Sequence, residues 1–184
     1  MPIKTPICDF GQSAKKFELK STSNEIITLN DVKGENGTLV MFICNHCPYV
    51  KAVIKDIVED FKNLKELGIK AVAICSNDSI NYPDDSFENM IKFSKDHNFN
   101  FPYLIDETQE VAKNYGAVCT PDFFGYNKNL ELQYRGRIRE LKNLKPIRAG
   151  DSDLLNAMKK IIVTGKGPKE QVSSLGCAIK WLNN

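Results

Sequence analysis

The chain of 184 residues has little net charge, few histidines and no long apolar run. Its formal charge is +2, and no basic run is interleaved with aromatic residues, so binding to nucleic acid is not expected. No apolar run reaches the length that spans a bilayer, and residues 1–20 lack the apolar region of a signal peptide. These absences predict a cytoplasmic protein that contacts neither nucleic acid nor membrane.

Metal ligands are also scarce. Only two histidines occur, His46 and His97, and the chain has one Cys-x-x-Cys spacing, at Cys44-Asn45-His46-Cys47. A structural zinc ion usually takes four ligands, and haem attachment requires a histidine directly after the second cysteine, where Pro48 stands. We therefore expect no metal and no cofactor. A zinc-binding or redox-inert interaction module is the alternative from another class of protein.

Cysteine, in contrast, is plentiful. In the reducing cytoplasm cysteines rarely form a static disulfide framework, and a close pair more often carries out redox chemistry or binds a metal. The six cysteines are Cys8, Cys44, Cys47, Cys75, Cys119 and Cys177. The close pair Cys44 and Cys47 is therefore the first candidate for chemistry.

The hydrophobic pattern predicts a single α/β domain over residues 1–184. An apolar run at 38–43 is typical of a strand buried on both faces, and apolar residues then recur with the helical period up to Gly68. Further segments are predicted as strands at 16–19, 25–29, 69–75 and 101–105, as a hairpin at 123–126 and 130–135, and as helices that begin at Asp85 or Ser86 and span 108–115 and 151–164.

This order of elements predicts a central mixed sheet flanked by helices, because strands and helices alternate and the late hairpin adds antiparallel edge strands. Within the single domain we expect three parts. They are an N-terminal β-hairpin extension at 1–36, a core at 37–164 and a tail at 165–184 that packs on the core.

Cys44 lies where the buried strand ends and a helix begins. Such junctions collect at the carboxyl edge of a parallel sheet, and a helix N-terminus offers unpaired N–H groups and a partial positive charge that stabilise a thiolate. Asn45 is predicted as the N-cap and Pro48 as a residue of the first turn. Two intervening residues place the sulfurs within disulfide reach, so the spacing predicts thiol–disulfide exchange.

The two cysteines are assigned different roles. Cys44, nearer the exposed end, is predicted to attack a substrate disulfide, and Cys47, one turn into the helix, to resolve the mixed disulfide. A protonated His46 would further favour the thiolate and make the pair more oxidising than Cys-Gly-Pro-Cys. A pair of buried, inert cysteines is the simpler alternative.

The residues around the pair resemble the thioredoxin-like superfamily, and more closely its peroxiredoxin-like (AhpC/TSA, redoxin) branch. The likeness extends over most of the chain. Besides the Cys-Asn-His-Cys motif within residues 41–51, it is carried by segments 17–19, 27–29, 76–78, 82–83, 101–104, 120–124, 134–136, 176–177 and 180–181. The resemblance implies a thioredoxin-like fold and thiol or peroxide chemistry.

The resemblance also assigns residues outside the motif. Pro121 stands at the position of a cis-proline that faces the cysteine pair, and the backbone of Thr120 is able to pair with a bound peptide. Two features depart from the family. Peroxidases carry a threonine three residues before the reactive cysteine, but Met41 and Cys44 stand at those positions, and the run 38–43 contains no acid to deprotonate the second cysteine.

Three further cysteines are candidates for additional redox thiols. Cys75 ends a strand expected to neighbour that of Cys44, Cys119 lies two residues before Pro121, and Cys177 falls in a segment that matches the family. One hypothesis is that such a thiol traps or passes on oxidation from the pair. The simpler interpretation is that each is a small buried hydrophobe.

The sequence as a whole predicts a thiol–disulfide oxidoreductase that uses the Cys44–Cys47 pair. Its partners would be protein or small-molecule thiols and disulfides. A thiol-dependent peroxidase with an antioxidant role, acting on peroxides, is the alternative among enzymes. Arg135 is expected on a solvated edge strand rather than in the site.

Overall fold

The computed structural model describes residues 2–6 and 10–183. Cys8 therefore lies outside the described residues. In chain order the elements are β1 (Pro2–Lys4), β2 (Glu18–Ser21), β3 (Ile26–Thr28), β4 (Gly37–Phe42), α1 (Pro48–Glu66), β5 (Ile69–Cys75), a 3-10 turn (Pro83–Asp85), α2 (Phe87–Asp96), β6 (Tyr103–Ile105), α3 (Glu110–Tyr115), β7 (Cys119–Thr120), β8 (Asp122–Asn127), β9 (Leu132–Tyr134), β10 (Leu141–Lys142), β11 (Lys145–Pro146), α4 (Asp153–Thr164) and β12 (Leu175–Ala178).

The main sheet has seven strands in the order β3-β2-β6-β5-β4-β8-β9. Strands β4, β5 and β6 run parallel, whereas the hairpin β2–β3 and the hairpin β8–β9 add antiparallel strands at the two edges. The predicted mixed sheet and both predicted hairpins are thus confirmed. A membrane-spanning helix, judged by length and apolarity, is not found within residues 2–6 and 10–183.

Helices cover both faces of the sheet, which explains why every residue of β4 is buried. Leu39 and Met41 point to the face packed against α1, α2 and α4. Val40 and Phe42 point to the opposite face, where α3 and the N-terminal hairpin pack. This alternation follows from the two-residue period of a strand and places the end of β4 at the centre of the molecule.

The sequence signals for helix ends agree with the structure in most places. Helix α1 is followed by Gly68, which has a positive φ of 82°, and α4 ends at Gly165 in the left-handed conformation. The Ser152 side chain caps α4 by accepting a hydrogen bond from the backbone of Leu155 at 2.9 Å. Helix α2 begins after the N-cap Ser86, the second of the two predicted starts.

The predicted N-cap of α1 is wrong. The cap position is Cys47, because Pro48 is the first helical residue. Asn45 instead lies in the tight connection between β4 and α1, where its side chain bonds to other segments. Proline at the first helical position requires no backbone N–H, so the cysteine before it sits directly at the helix N-terminus.

A second, three-stranded sheet was not predicted. In it β12 lies between β1 and β7, antiparallel to both. These strands have only two to four residues each, too short for an alternating pattern to stand out. The predicted tail therefore contains a strand that reaches the segment just before Pro121.

Candidate active site

Cys44 and Cys47 lie at the carboxyl edge of the parallel strands, where β4 gives way to α1. Both side chains are buried, at 1% and 0% exposure. The expectation that Cys44 is the more exposed of the two is therefore not met. The two sulfurs are hydrogen-bonded to each other, so the spacing does bring them together as predicted.

The pair faces the segment before Pro121. The Thr120–Pro121 bond is cis, as the resemblance implied. The Cys44 Sγ lies 3.4 Å from the Thr120 hydroxyl, and the Cys47 thiol donates to the Thr120 carbonyl at 3.2 Å. Both groups of Thr120 thus contact a sulfur of the pair.

The surroundings separate the two thiols electrostatically. A hydrogen bond donated by Cys44 lowers the pKa of Cys47 to about 5, with smaller contributions from the Cys177 thiol and from the backbone of Val50 and Cys177. The same hydrogen bond, together with burial and the charge of Asp85, raises the pKa of Cys44. The Thr120 carbonyl accepts only from a protonated Cys47 and so opposes this lowering in part.

The two shifts have opposite directions, so the negative charge is favoured at Cys47 over Cys44. The roles assigned from the sequence, with Cys44 attacking and Cys47 resolving, stay a prediction. The largest cause of both shifts is the hydrogen bond between the two thiols. The helix N-terminus at Cys47 and the buried carboxylate beside Cys44 act in the same directions.

That carboxylate belongs to Asp85, a residue the sequence marked only as a possible helix start. It is 1% exposed. Its oxygens accept hydrogen bonds from the backbone of Asn45 and from the amide of Asn77, both at 2.8 Å. The His46 Nδ1 lies 2.6 Å from the Asp85 Oδ2, close enough for an ion pair when the imidazole is protonated. Asp85 therefore ties the motif to the loop after β5.

Asn45 has a positioning role rather than a capping one. Its side-chain oxygen accepts a hydrogen bond from the Tyr103 hydroxyl at 2.8 Å, and its amide donates to the Asp84 carbonyl at 3.1 Å. Both partners come from segments far away in the sequence. They hold the turn between the strand and the helix, so the direction of the motif depends on β6 and on the 3-10 turn.

Arg135 is buried, contrary to the expectation of a solvated edge. Its guanidinium donates to both carboxylate oxygens of Asp122, at 3.2 and 2.8 Å, and to the Gly116 carbonyl at 2.8 Å. Burial raises the pKa of Asp122, and Arg135 acts in the opposite direction. Because Asp122 directly follows Pro121, this ion pair anchors the segment that faces the cysteines.

The three additional cysteines lie in different environments. Cys75 is buried, and burial is the main cause that raises its pKa to about 12. Cys119 is also buried and donates to the Pro121 carbonyl at 3.7 Å. Cys177 is only partly buried, and its thiol bonds to Cys47. Burial, followed by this hydrogen bond, raises the pKa of Cys177 to about 11.

A model of the AhpC/TSA family matches residues 10–141, more than half of the chain. The chain belongs to the AhpC/TSA family. A solved structure of a conserved protein from Geobacillus kaustophilus, described as uncharacterised, is 38% identical, with a TM-score of 0.94 over 100% of this chain and 98% of that one.

Two curated relatives of this AhpC/TSA protein are more distant. The thiol-disulfide oxidoreductase ResA of Bacillus thuringiensis is 26% identical over 121 residues, which are 66% of this chain and 65% of ResA. The peroxiredoxin Bcp of Bacillus subtilis is 25% identical over 70% of this chain and 73% of that protein. The match thus spans just under two thirds of the length of ResA.

The fold of this AhpC/TSA protein is thioredoxin-like. The thioredoxin domain of a thiol-disulfide oxidoreductase from Bacteroides vulgatus superposes with a TM-score of 0.65 at 14% identity, over 85% of this chain and 99% of that one. Identity at this level concerns the fold alone. The thioredoxin-like fold agrees with the mixed sheet and with the cis-proline opposite the cysteine pair.

Three side chains at the motif of this AhpC/TSA protein offer atoms that could bind a metal ion. One donor atom each from Cys44, His46 and Asp85 lies within 4.8 Å of the others. Both oxygens of Asp85, however, already accept hydrogen bonds from Asn45 and Asn77. The cluster therefore serves first as a hydrogen-bond network that fixes the motif.

A cavity of about 240 Å³ adjoins the cis-proline segment in this AhpC/TSA protein. It is lined in part by Tyr49, Pro121 and Leu175. These residues belong to α1, to the cis-proline segment and to β12. The cavity is therefore bounded by the same elements that surround Cys47.

Proposed function

We propose that the protein catalyses thiol–disulfide exchange with Cys44 and Cys47 as its redox pair. The observation that carries this proposal is the contact between two buried sulfurs at a helix N-terminus, facing Thr120 and a cis-proline. The relative ResA, a thiol-disulfide oxidoreductase, supports the same chemistry.

The exchange reaction conserves atoms and electrons. In the reduced protein, the thiolate of one cysteine of the pair attacks one sulfur of a substrate disulfide and forms a mixed disulfide with it. The other substrate sulfur leaves as a thiolate. The second cysteine then attacks the mixed disulfide. The products are a Cys44–Cys47 disulfide and the reduced substrate, so two electrons and two protons pass from the protein to the substrate. The reverse sequence oxidises a substrate dithiol.

The supporting residues contribute position rather than electrons. Pro48 fixes the start of α1, and Asn45 holds the turn before it. Thr120 and Pro121 form the wall that the sulfurs face. His46, beside Asp85, adjusts the electrostatic potential at the motif.

The direct test measures the redox behaviour of the pair. Wild type is expected to equilibrate between reduced and oxidised forms in glutathione buffers and to reduce insulin in the presence of a dithiol. Cys44→Ser and Cys47→Ser are expected to lose the insulin activity. Cys119→Ser, which removes a buried thiol outside the pair, is the matched control and should retain it.

The proposal is overturned if either serine variant of the pair reduces insulin at the wild-type rate. It is also overturned if mass spectrometry finds no Cys44–Cys47 disulfide in the oxidised wild type. A redox-inert module predicts that wild type reduces insulin no faster than the serine variants and forms no Cys44–Cys47 disulfide. The same experiment therefore separates the two classes of protein.

A thiol peroxidase is the second candidate, and one contact favours it. The threonine expected three residues before a peroxidatic cysteine is absent, but the Thr120 hydroxyl lies 3.4 Å from Cys44. In this reaction Cys44 attacks the peroxide, becomes a sulfenic acid and releases an alcohol or water. Cys47 then forms the disulfide and releases water. The name of the relative Bcp, a peroxiredoxin, supports this candidate.

Peroxide consumption distinguishes the two activities. If the protein is a peroxidase, Thr120→Val should slow peroxide turnover while insulin reduction changes less. Absence of peroxide consumption by reduced wild type rules this candidate out. As a peroxidase, the protein would have an antioxidant role, with peroxides as substrates.

For location and partners we propose the reducing cytoplasm and thiol or disulfide compounds. The support for the cytoplasm is the cysteine pattern of the sequence, in which one close pair is more typical of redox chemistry in a reducing compartment than of a static disulfide framework. The support for the partners is the chemistry of the pair itself.

A further inference from the structure

The backbone beside the cysteine pair is already occupied by the chain's own strand β12. The sequence predicted that Thr120 pairs with a bound peptide. In the structure β7 pairs antiparallel with β12, with Cys177 opposite Thr120 and Ala178 opposite Cys119. The position predicted for a substrate peptide is therefore taken by residues 175–178, and the prediction is corrected in this respect.

Strand β12 is held tightly on both edges. Its other edge pairs with β1, with Ile3 opposite Gly176. A Cβ atom at Gly176 would lie 2.1 Å from the Thr120 carbonyl oxygen, far closer than any side chain tolerates. Glycine at this position is what allows β12 to approach Thr120 so closely.

This approach brings a third thiol to the pair. The strand pairing sets Cys177 opposite Thr120, whose carbonyl accepts from the Cys47 thiol at 3.2 Å. The thiols of Cys177 and Cys47 interact there. The burial of the three thiols differs. Cys44 and Cys47 are buried, whereas Cys177 is the one cysteine among the described residues that is not. An external partner therefore meets Cys177 before it meets the pair.

We propose that Cys177 is a third redox thiol that exchanges disulfides with Cys47 and connects the buried pair with low-molecular-weight thiols in solution. This proposal rests on the proposed function of Cys44 and Cys47. The proposal adds a route for disulfide exchange between the buried pair and the solvent. It also limits the expected partners to low-molecular-weight thiols.

The internal step is a disulfide isomerisation. Starting from the Cys44–Cys47 disulfide, the Cys177 thiol loses its proton and attacks the Cys47 sulfur. The bond to Cys44 breaks, the Cys47–Cys177 bond forms, and Cys44 leaves as a thiolate that takes up one proton. No electrons are gained or lost overall. Because Cys47 carries no negative charge in a disulfide, it no longer holds the proton on Cys177.

The external step is reduction by a small thiol. The thiolate of that compound attacks the Cys177 sulfur, forms a mixed disulfide with it and releases Cys47 as a thiolate. A second molecule of the thiol then reduces the mixed disulfide. An extended peptide is a poorer partner, because β12 already fills the edge at Thr120 where a peptide strand would pair.

The test isolates Cys47 and Cys177 in the full chain. Cys44→Ser is treated with glutathione disulfide, and the products are mapped by mass spectrometry after digestion. We expect an internal Cys47–Cys177 disulfide, with the loss of two hydrogens. Cys44→Ser/Cys119→Ser is the matched control and should form the same link. Cys44→Ser/Cys177→Ser should instead carry glutathione on Cys47.

A second variant tests the role of the strand rather than of the thiol. Cys44→Ser/Gly176→Ala keeps both sulfurs but forces β12 away from Thr120. The rate of internal disulfide formation should fall by about tenfold or more, because a loosely held thiol loses the benefit of its fixed position. A rate of internal disulfide formation equal to that of Cys44→Ser alone contradicts the proposal.

The outcomes separate the two proposals. If Cys44→Ser yields only glutathione adducts and no internal link, the role of Cys177 is overturned, while a Cys44–Cys47 disulfide in wild type still supports the proposed function. If wild type forms no Cys44–Cys47 disulfide in the same buffer, both proposals fail. If Cys177→Ser is reduced by glutathione as fast as wild type, the role of Cys177 is likewise overturned.

Discussion

The two sides of the cysteine pair differ in chemistry although the motif looks nearly symmetrical. The Cys44 side holds a buried carboxylate, Asp85, and the polar groups that bind it. The Cys47 side holds a helix N-terminus and the thiol of Cys177. One side favours a protonated sulfur and the other favours a thiolate. The difference teaches that distant segments, which supply Asp85 and Cys177, add to a polarity that begins with the hydrogen bond between the two thiols.

The physical basis of this difference is the low dielectric around buried groups. A carboxylate close to Cys44 repels a second negative charge, and burial removes the water that would screen it. At Cys47 the hydrogen-bond donors outnumber the single carbonyl that opposes them. Substitutions on either side of the pair should therefore have different effects.

The largest effect is expected from the ion pair behind the Cys47 side. Arg135→Met leaves the carboxylate of Asp122 buried without its partner, so the free energy of unfolding should fall by about 3–5 kcal/mol. Denaturant unfolding of the variant measures this change. The double variant Arg135→Met/Asp122→Leu removes both charges and should recover much of the loss. Equal destabilisation of the single and double variants would contradict the role of the charge.

The next effect concerns Asp85 on the Cys44 side. In a Cys47→Ser background, Asp85→Asn should lower the pKa of Cys44 by about 1–3 pH units, because a nearby negative charge is removed. The ultraviolet absorbance of the thiolate, followed against pH, measures it without requiring access to the buried sulfur. Asp84→Asn, at the exposed neighbour, is the control and should leave the pKa unchanged. Similar shifts in both variants would refute the specific role of Asp85.

A smaller effect is expected from His46. Its ring lies beside Asp85 and offsets that negative charge when protonated. His46→Asn should therefore make the pair more reducing by up to about 30 mV, since the thiolate is less stabilised. Equilibration with glutathione measures the potential. His97→Asn, near the end of α2, is the control, and an equal shift there would remove any special role of His46.

The smallest effect is expected at Asp60, which lies away from both sides of the cysteine pair. Burial raises the pKa of Asp60 from 3.8 to about 6, opposed by a hydrogen bond from Ser152. The folded state thus binds more protons than the unfolded state between about pH 4 and pH 6, so this contribution to stability is lost as the pH rises through 6. Asp60→Asn should remove that dependence and stabilise the protein at pH 7 by on the order of 1 kcal/mol.

Thermal or denaturant unfolding across this pH range checks the Asp60 prediction. Glu59→Gln, at an exposed neighbouring position of α1, is the control and should follow the wild-type curve. A slope for Asp60→Asn that equals the wild-type slope would assign the pH dependence to other groups.

Features carried by local sequence signals were predictable. The apolar run before Cys44, the helical period after Val50 and the proline at position 48 each act within one element, and they gave the strand, the helix and the place of the pair. Pro121 was identified by its resemblance to a family, because its role depends on a segment far from the motif. Its cis bond agrees with that prediction.

Features that depend on pairing between distant short segments were not predictable. Asp85 follows a proline in a loop and has no periodic signal that marks it as buried. Tyr103 reaches Asn45 only because β6 lies next to β5 in the sheet. Cys177 was named as a candidate, but its contact with Cys47 required the register of β12 on β7.

The order of synthesis gives the position of β12 a further consequence. Every other described strand precedes β12 in the chain, so the main sheet, α1 and the cis-proline segment leave the ribosome before residues 175–178 do. Until β12 docks, the edge at Thr120 is open to any extended peptide nearby. A chain that ends before Gly176 would therefore leave the edge of β7 at Thr120 without its partner strand.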